Sequence, residues 1–260
     1  MDFLSKVVTA AILTLGLLTG TSNASSLEEV ISASYRLENS KGSTCSGTFV
    51  NTPKGEQVFV TSAHCVIDLD QPYFNTKPEG EFLIKKVTKN EALRPSVEHV
   101  FYLDVPMANN SLYYIFPQKD IAILKLRNSV VRFPTADLMT NEEADKFAVI
   151  GNEVTVVGYP LGFEVTHTRG EFSSKERSMK KGIDSIVYRY TAPSTYGNSG
   201  GGLYAELPNK DYKYMGTISH IVDGTLGKGI PMGFLNYAIP VKQLNEVLTY
   251  VDMFGFAPNE

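Results

Sequence analysis

Three short segments carry side chains that could work together in nucleophilic and acid–base chemistry. Residues 196–201 read Y-G-N-S-G-G and place Ser199 beside glycines, where the backbone can turn sharply and a substrate carbonyl can come close. A serine hydroxyl is a poor nucleophile until a neighbouring base removes its proton. Histidine is the side chain that most often acts as a base near neutral pH, and the chain has only four histidines.

The other two segments supply a base and a carboxylate. His64 lies in the stretch V-T-S-A-H-C, and Asp120 opens the strongly apolar stretch D-I-A-I-L-K-L. A carboxylate at the edge of a core needs hydrogen-bond partners, and an imidazole N–H would be one. Asp104 and Asp137 are competing carboxylates, each in a less informative context. Each segment by itself is also typical of an ordinary turn, a strand-end histidine or a strand-start aspartate.

The rest of the chain predicts an all-β protein with few helices. Short runs rich in β-branched and aromatic residues alternate with Gly, Pro, Asn and Asp. These runs predict strands at 32–37, 47–50, 58–61, 82–87, 97–103, 121–126, 154–159, 186–190, 216–221 and 234–239. The stretch 141–146 predicts a short helical turn. The stretch 240–251 predicts a terminal helix, since Pro240 suits a helix start and the apolar residues after it share one face. Residues 166–181 are polar and predict an exposed, mobile loop.

Composition and charge exclude several classes of protein. The 260 residues are 43% hydrophobic and 20% charged, as in globular proteins rather than disordered or fibrous ones. With 24 Lys+Arg against 28 Asp+Glu and no basic tract, the chain lacks the electrostatic footprint of a nucleic-acid binder. No H-E-x-x-H segment occurs, and we expect neither a metal nor another cofactor.

The N-terminus predicts export. Lys6 is followed by an apolar run at 7–18 and by small residues up to Ala24. This pattern is typical of a secretory signal peptide at 1–24, and the apolar run is shorter than the roughly 20 residues that a membrane span needs. We therefore expect a secreted or periplasmic protein with no stable membrane insertion after signal cleavage.

The chain has two cysteines, Cys45 and Cys65. An even count in an exported chain favours one disulfide. A pair of buried free thiols is the alternative.

Together, and in this chain order, the segments around His64, Asp120 and Ser199 resemble the chymotrypsin-fold serine proteases. The resemblance implies two six-stranded antiparallel β-barrels, at about 30–130 and about 148–240, followed by a helix at 240–251. It implies a protease domain over 25–260 that acts on protein or peptide substrates. The three residues would then be the general base, the orienting acid and the nucleophile.

The same resemblance assigns further residues. The disulfide between Cys45 and Cys65 matches the family's disulfide beside the catalytic histidine, and the N–H groups of Gly197 and Ser199 would form the oxyanion hole. Asn198 stands where animal trypsin-like enzymes have Asp, and no I-V-G-G start is present. The G-N-S-G form is closer to bacterial HtrA-type enzymes and glutamyl endopeptidases. Only 61 residues follow the serine, so we expect a stand-alone catalytic domain without a peptide-binding module.

By the same resemblance, substrate-binding residues fall on Ser194, Ser219 and His220. Pro193 occupies the position where an Asp would bind Lys or Arg, so we do not expect a basic P1 preference. A hydroxyl and an imidazole could bind an acidic P1 side chain. A small or medium apolar P1 residue is an equal alternative, with His220 then in an outer subsite. The alternative to an active secreted endopeptidase is a protease-fold binding protein without catalysis.

Overall fold

The computed structural model describes residues 25–39, 42–67, 82–89, 95–103, 113–126, 132–178, 183–221, 225–226, 230–231 and 235–255. The predicted signal peptide at 1–24 and Asp104 lie outside these residues. Within the described ranges, no helix is long and apolar enough to cross a membrane.

The N-terminal half is one antiparallel sheet of seven strands in the order β5-β4-β1-β2-β3-β7-β6. The strands are β1 (Ser34–Asn39), β2 (Thr44–Asn51), β3 (Gln57–Thr61), β4 (Phe82–Lys89), β5 (Pro95–Leu103), β6 (Tyr113–Phe116) and β7 (Ile121–Leu124). Its core contains an aromatic cluster in which Phe49 stacks on Phe133 with ring centroids 4.4 Å apart and Tyr35 packs edge-on. Among the described residues the two edge strands, β5 and β6, are not paired with each other, so the described part of this half is a seven-stranded sheet.

The C-terminal half is a closed barrel of six antiparallel strands, as predicted. Its order is β10-β15-β12-β11-β8-β9. The strands are β8 (Glu153–Gly158), β9 (Thr166–Arg177), β10 (Ile186–Tyr190), β11 (Gly202–Glu206), β12 (Tyr212–Ile221) and β15 (Asn236–Pro240). A small hairpin of β13 (Thr225–Leu226) and β14 (Ile230–Pro231) lies between β12 and β15 in the chain.

In the part of the chain that the structure describes, three α-helices accompany the strands: α1 (Leu27–Ser32), α2 (Asn141–Phe147) and α3 (Val241–Phe254). Helix α1 was not predicted; Ser26 and Glu29 form a capping box at its start. Helix α3 confirms the predicted terminal helix. It buries one apolar face against the C-terminal barrel, formed by Val241, Leu244, Val247, Leu248 and Val251.

The prediction of a mobile loop at 166–181 was wrong for most of that segment, because residues 166–177 form β9 between β8 and β10. The side chains of this strand are mostly polar and only partly buried, so its composition resembles that of a loop. Its pairing partners, which are distant in sequence, decide its conformation.

Buried tyrosines give the fold a pH dependence at alkaline pH. Tyr204 is fully buried, and burial raises its pKa to about 12 from 10.0. The folded state keeps a proton that the unfolded chain loses above pH 10. We therefore expect this contribution to stability to be complete below pH 10 and to be lost as the pH rises toward 12, at about 1.4 kcal/mol per pH unit. Urea unfolding of Tyr204→Phe should show a shallower alkaline slope; an equal slope would contradict this account.

Candidate active site

His64 and Asp120 are brought together from two separate elements. His64 lies in a 3₁₀ turn (Ala63–Cys65) that follows β3, and Asp120 lies in the left-handed region (φ 50°) just before β7. The His64 backbone N–H donates to Asp120 Oδ1 at 3.0 Å, and ring atom Nδ1 lies 3.0 Å from both carboxylate oxygens. This double contact fixes the imidazole relative to the carboxylate.

The Asp120 side chain is completely buried and accepts a third hydrogen bond, from Ser219 Oγ at 2.5 Å. Three donors around one carboxylate favour its ionised form. Because an ionised carboxylate can only accept, we assign the proton between the two residues to His64 Nδ1. Atom Nε2 of the neutral ring is then an acceptor and can act as a base.

Ser199 lies in what we call the serine loop, residues 196–201, whose glycines are required by space and by backbone angle. Gly197 has φ +90°, and a Cβ there would lie 2.4 Å from the Tyr159 carbonyl oxygen. Gly200 has φ +84°, and a Cβ there would lie 2.2 Å from the Ser46 carbonyl oxygen. Any larger residue at either position would be strained and would collide with backbone.

In the serine loop, hydrogen bonds to two carbonyl groups set the directions of the N–H groups of Gly197 and Ser199. The Tyr196 carbonyl accepts from Leu161 N at 2.7 Å, and the Asn198 carbonyl accepts from Gly201 N at 2.9 Å. A peptide N–H points opposite to its carbonyl. Among the hydrogen bonds of the described residues, the N–H groups of Gly197 and Ser199 make none, so both are available to an oxyanion.

Ser199 Oγ donates to the Ser219 carbonyl oxygen at 3.1 Å. In the described part of the chain no hydrogen bond joins this hydroxyl to His64. Deprotonation by His64 therefore requires the hydroxyl to rotate away from the Ser219 carbonyl. Hydrogen bonds of a catalytic group are commonly loose until substrate is bound.

The predicted disulfide is confirmed: Cys45 in β2 is bonded to Cys65 beside His64. Sγ of Cys65 lies 3.7 Å from the Ser199 carbonyl oxygen, so the disulfide contacts the serine loop as well. A ring nitrogen of His64 and the two sulfurs lie within 4.8 Å of one another, a spacing compatible with a metal site. Cysteine binds metals as a thiolate, however, and the disulfide removes both thiolates.

The three predicted substrate-binding residues have different surroundings. Ser219 is completely buried at a β-bulge of β12, and its hydroxyl faces Asp120 rather than a pocket. Ser194 Oγ accepts from Asn198 Nδ2 at 3.3 Å. His220 is partly buried and stacks on Tyr237 with ring centroids 4.9 Å apart, and its Nδ1 lies 2.9 Å from Ser219 Oγ.

Comparison with known proteins decides the family. A family model described as a trypsin-like peptidase domain matches residues 45–207, which include the segments around His64, Asp120 and Ser199. The chain belongs to this family. A search of curated proteins finds no match.

Solved structures agree with the trypsin-like peptidase fold. The HtrA-type protease AlgW with a tripeptide is similar, with a TM-score of 0.61 and 20% identity over 89% of this chain and 64% of the AlgW chain. The active form of the Rv3671c protease from M. tuberculosis has a TM-score of 0.58 and 16% identity, over 90% of this chain and 86% of that one. This trypsin-like peptidase chain thus spans just under two thirds of AlgW, and at these identities the likeness is one of fold.

Sequence reasoning missed three residues whose hydrogen bonds hold the site of this trypsin-like peptidase domain. Ser46 and Arg36, on β2 and β1, bond to the serine loop and to the turn beside it. Ser62 Oγ donates to the Ile218 carbonyl at 2.8 Å and joins the His64 segment to β12. Their partners are more than a hundred residues away in sequence, so no local pattern could identify them.

Proposed function

We propose that this chain is a secreted serine endopeptidase that hydrolyses peptide bonds through an acyl-enzyme on Ser199. The observation that carries the proposal is the pairing of His64 Nδ1 with the buried Asp120 carboxylate. This pairing leaves Nε2 as a base in a trypsin-like peptidase domain.

Each residue has a role in the proposed reaction. His64 Nε2 takes the proton from Ser199 Oγ as the oxygen attacks the substrate carbonyl carbon. The carbonyl oxygen becomes an oxyanion and accepts hydrogen bonds from the N–H groups of Gly197 and Ser199. His64 then gives its proton to the leaving amine, and the C–N bond breaks. Asp120 stays ionised and stabilises the imidazolium. Water, deprotonated by His64, hydrolyses the acyl ester and regenerates the enzyme.

The test is the intact mass of the purified mature protein after incubation with a fluorophosphonate. We expect wild type to gain one phosphonyl group and Ser199→Ala to gain none, because only a serine activated by a base reacts readily. Thr195→Ala, a substitution at a hydroxyl residue of the neighbouring segment, is the control and should still be labelled. A wild-type protein without an adduct would contradict the proposal.

One observation favours a second candidate, a protease-fold binding protein without catalysis. Ser199 Oγ is bonded to the Ser219 carbonyl rather than to His64. If this bond persists in solution and with substrate, the fluorophosphonate leaves the wild type unmodified and peptides bind without being cleaved.

We propose a P1 preference for acidic residues or for small and medium apolar ones. The support is the absence of an acidic residue at Pro193 and the presence of Ser194 and His220 in the segments that wall the pocket in this family. Matched peptides with Glu, Ala, Leu or Arg at P1 should show the slowest cleavage after Arg, by about tenfold or more in kcat/KM. Fastest cleavage after Arg would refute this account of the pocket.

Export and domain organisation are part of the proposal. A signal peptide at 1–24 would be removed to leave a catalytic domain beginning near Ser25, and the disulfide is consistent with an oxidising compartment. The N-terminal residue of the mature protein, determined on the exported sample, tests the cleavage site.

A further inference from the structure

Ser46 connects the N-terminal sheet to the serine loop. It is completely buried in β2, and its Oγ donates to the Gly197 carbonyl at 2.7 Å. Its backbone N–H donates to the Ser199 carbonyl at 2.7 Å. One residue of the N-terminal half therefore fixes the carbonyls of the two residues whose N–H groups are free.

The Ser46 hydroxyl also holds the segment that orients the Gly197 N–H. It accepts from Tyr159 N at 2.8 Å. Tyr159 immediately precedes the Leu161 turn, a 3₁₀ turn at Pro160–Gly162. Leu161 has φ 55°, an uncommon conformation for leucine, and its N–H donates to the Tyr196 carbonyl at 2.7 Å. That bond holds the Tyr196–Gly197 peptide with the Gly197 N–H pointing the other way.

Arg36 holds the same turn from its far end. It lies on β1 directly opposite Ser46 in the β1–β2 register, and its Nη1 donates to the Gly162 carbonyl at 2.5 Å. Glu38 orients the guanidinium through a 2.7 Å ion pair and is itself paired with Lys85 at 2.8 Å. Arg36 and Ser46 are a cross-strand pair. Neighbouring positions of the N-terminal sheet therefore bond to both ends of the Leu161 turn, at Gly162 and at Tyr159.

The Leu161 turn and its flanking glycines pack closely against β2. A Cβ on Gly158 would lie 2.9 Å from Ser46 Oγ, and a Cβ on Gly162 would lie 2.8 Å from Thr44 Oγ1. The turn can therefore move toward β2 very little. Removal of the hydrogen bonds would instead release the turn, and with it the bond that orients the Gly197 N–H.

We propose that Ser46 and Arg36 are positioning residues that set the oxyanion hole through the Leu161 turn. This inference rests on the proposed peptidase function. It adds that contacts from the N-terminal sheet orient the oxyanion donors of the C-terminal half. Neither side chain touches the substrate. Their effect is to keep the Gly197 N–H aimed where negative charge develops in the transition state.

The first test is Ser46→Ala. We expect kcat to fall about 10- to 100-fold while KM stays within about twofold, because a displaced oxyanion donor weakens the transition state more than the bound substrate. The affinity for a peptide boronate, which forms a tetrahedral adduct on the serine, should fall by a similar factor. The affinity for the corresponding product peptide should not change. A merely structural role would not separate these two affinities.

Thr48→Val is the matched control, since Thr48 is buried two residues further along β2 on the same side as Ser46. Its hydroxyl makes none of the contacts described above, and kcat should be unchanged. If Ser46→Ala does not fold, Arg36→Gln decides, because Arg36 is less buried than Ser46, with 16% of its side chain exposed. We expect Arg36→Gln to lower kcat about 3- to 10-fold with KM unchanged.

The outcomes separate this inference from the proposed function. An active wild type with unchanged kcat and boronate affinity in the folded variants overturns the positioning role alone. A wild type with neither turnover nor a phosphonyl adduct overturns the proposed function and this inference with it.

Discussion

Asp120→Asn should lower kcat about 10⁴-fold, the loss that the same substitution causes at the catalytic aspartate of a serine protease of this fold. The Asp120 carboxylate accepts from the backbone N–H of His64 and from its ring Nδ1–H. An asparagine side chain keeps the shape but presents an NH₂ group. To bond to it, the neutral imidazole must move its proton from Nδ1 to Nε2. The ring can then no longer accept the proton of Ser199.

This first prediction is measured as kcat at neutral pH together with the unfolding midpoint, to show that the variant is folded. Asp137→Asn is the matched control. Asp137 is one of the competing carboxylates in the sequence, it is partly buried, and burial raises its pKa. It lines a cleft of about 280 Å³ between β2 and α3, with none of the three catalytic candidates in its wall. Equal losses in both variants would show that the effect is not specific to the pair with His64.

The second prediction concerns the dependence of Ser199 and His64 on each other. Ser199→Ala and His64→Ala should each lower kcat by on the order of 10⁶-fold, and the double variant should be no worse than either single variant. The reason is that the hydroxyl is a nucleophile only when the base is present, so loss of either one removes the same step. Residual activity would come from substrate binding and the oxyanion donors.

Single-turnover cleavage of the preferred peptide measures the second prediction, since it separates chemistry from product release. Additive losses in the double variant would mean that the two residues act independently. A His64→Ala variant with nearly wild-type kcat would assign the base to another residue. His167→Ala is a suitable control, because residue 167 lies on β9 and is paired with Val157 of β8.

The local features of this protein were readable from its residues. The apolar positions of α3 recur at helical spacing, so the sequence predicted that one face of this helix is buried. The glycines beside Ser199 indicated a sharp turn, and Gly197 and Gly200 have the positive φ angles that favour glycine. The disulfide followed from two cysteines in a chain that carries an export pattern. These features are determined within a few residues, or by a choice among very few partners.

Other features depended on partners far away in the chain. Strand β9 is polar enough to resemble a loop, and only its place between β8 and β10 made it a strand. Ser219, predicted as a substrate-binding residue, lies at a β-bulge of β12, and its hydroxyl donates to Asp120.

Ser46 shows most clearly what only the tertiary structure decided. In the sequence it is a small polar residue after a cysteine, with no local sign of a role in the site. In the fold its hydroxyl bonds to Gly197, 151 residues away. A periodic pattern fixes which face of a segment is buried, because burial depends on residue type. It cannot fix which distant donor meets which acceptor, because that depends on how the sheet and the barrel pack.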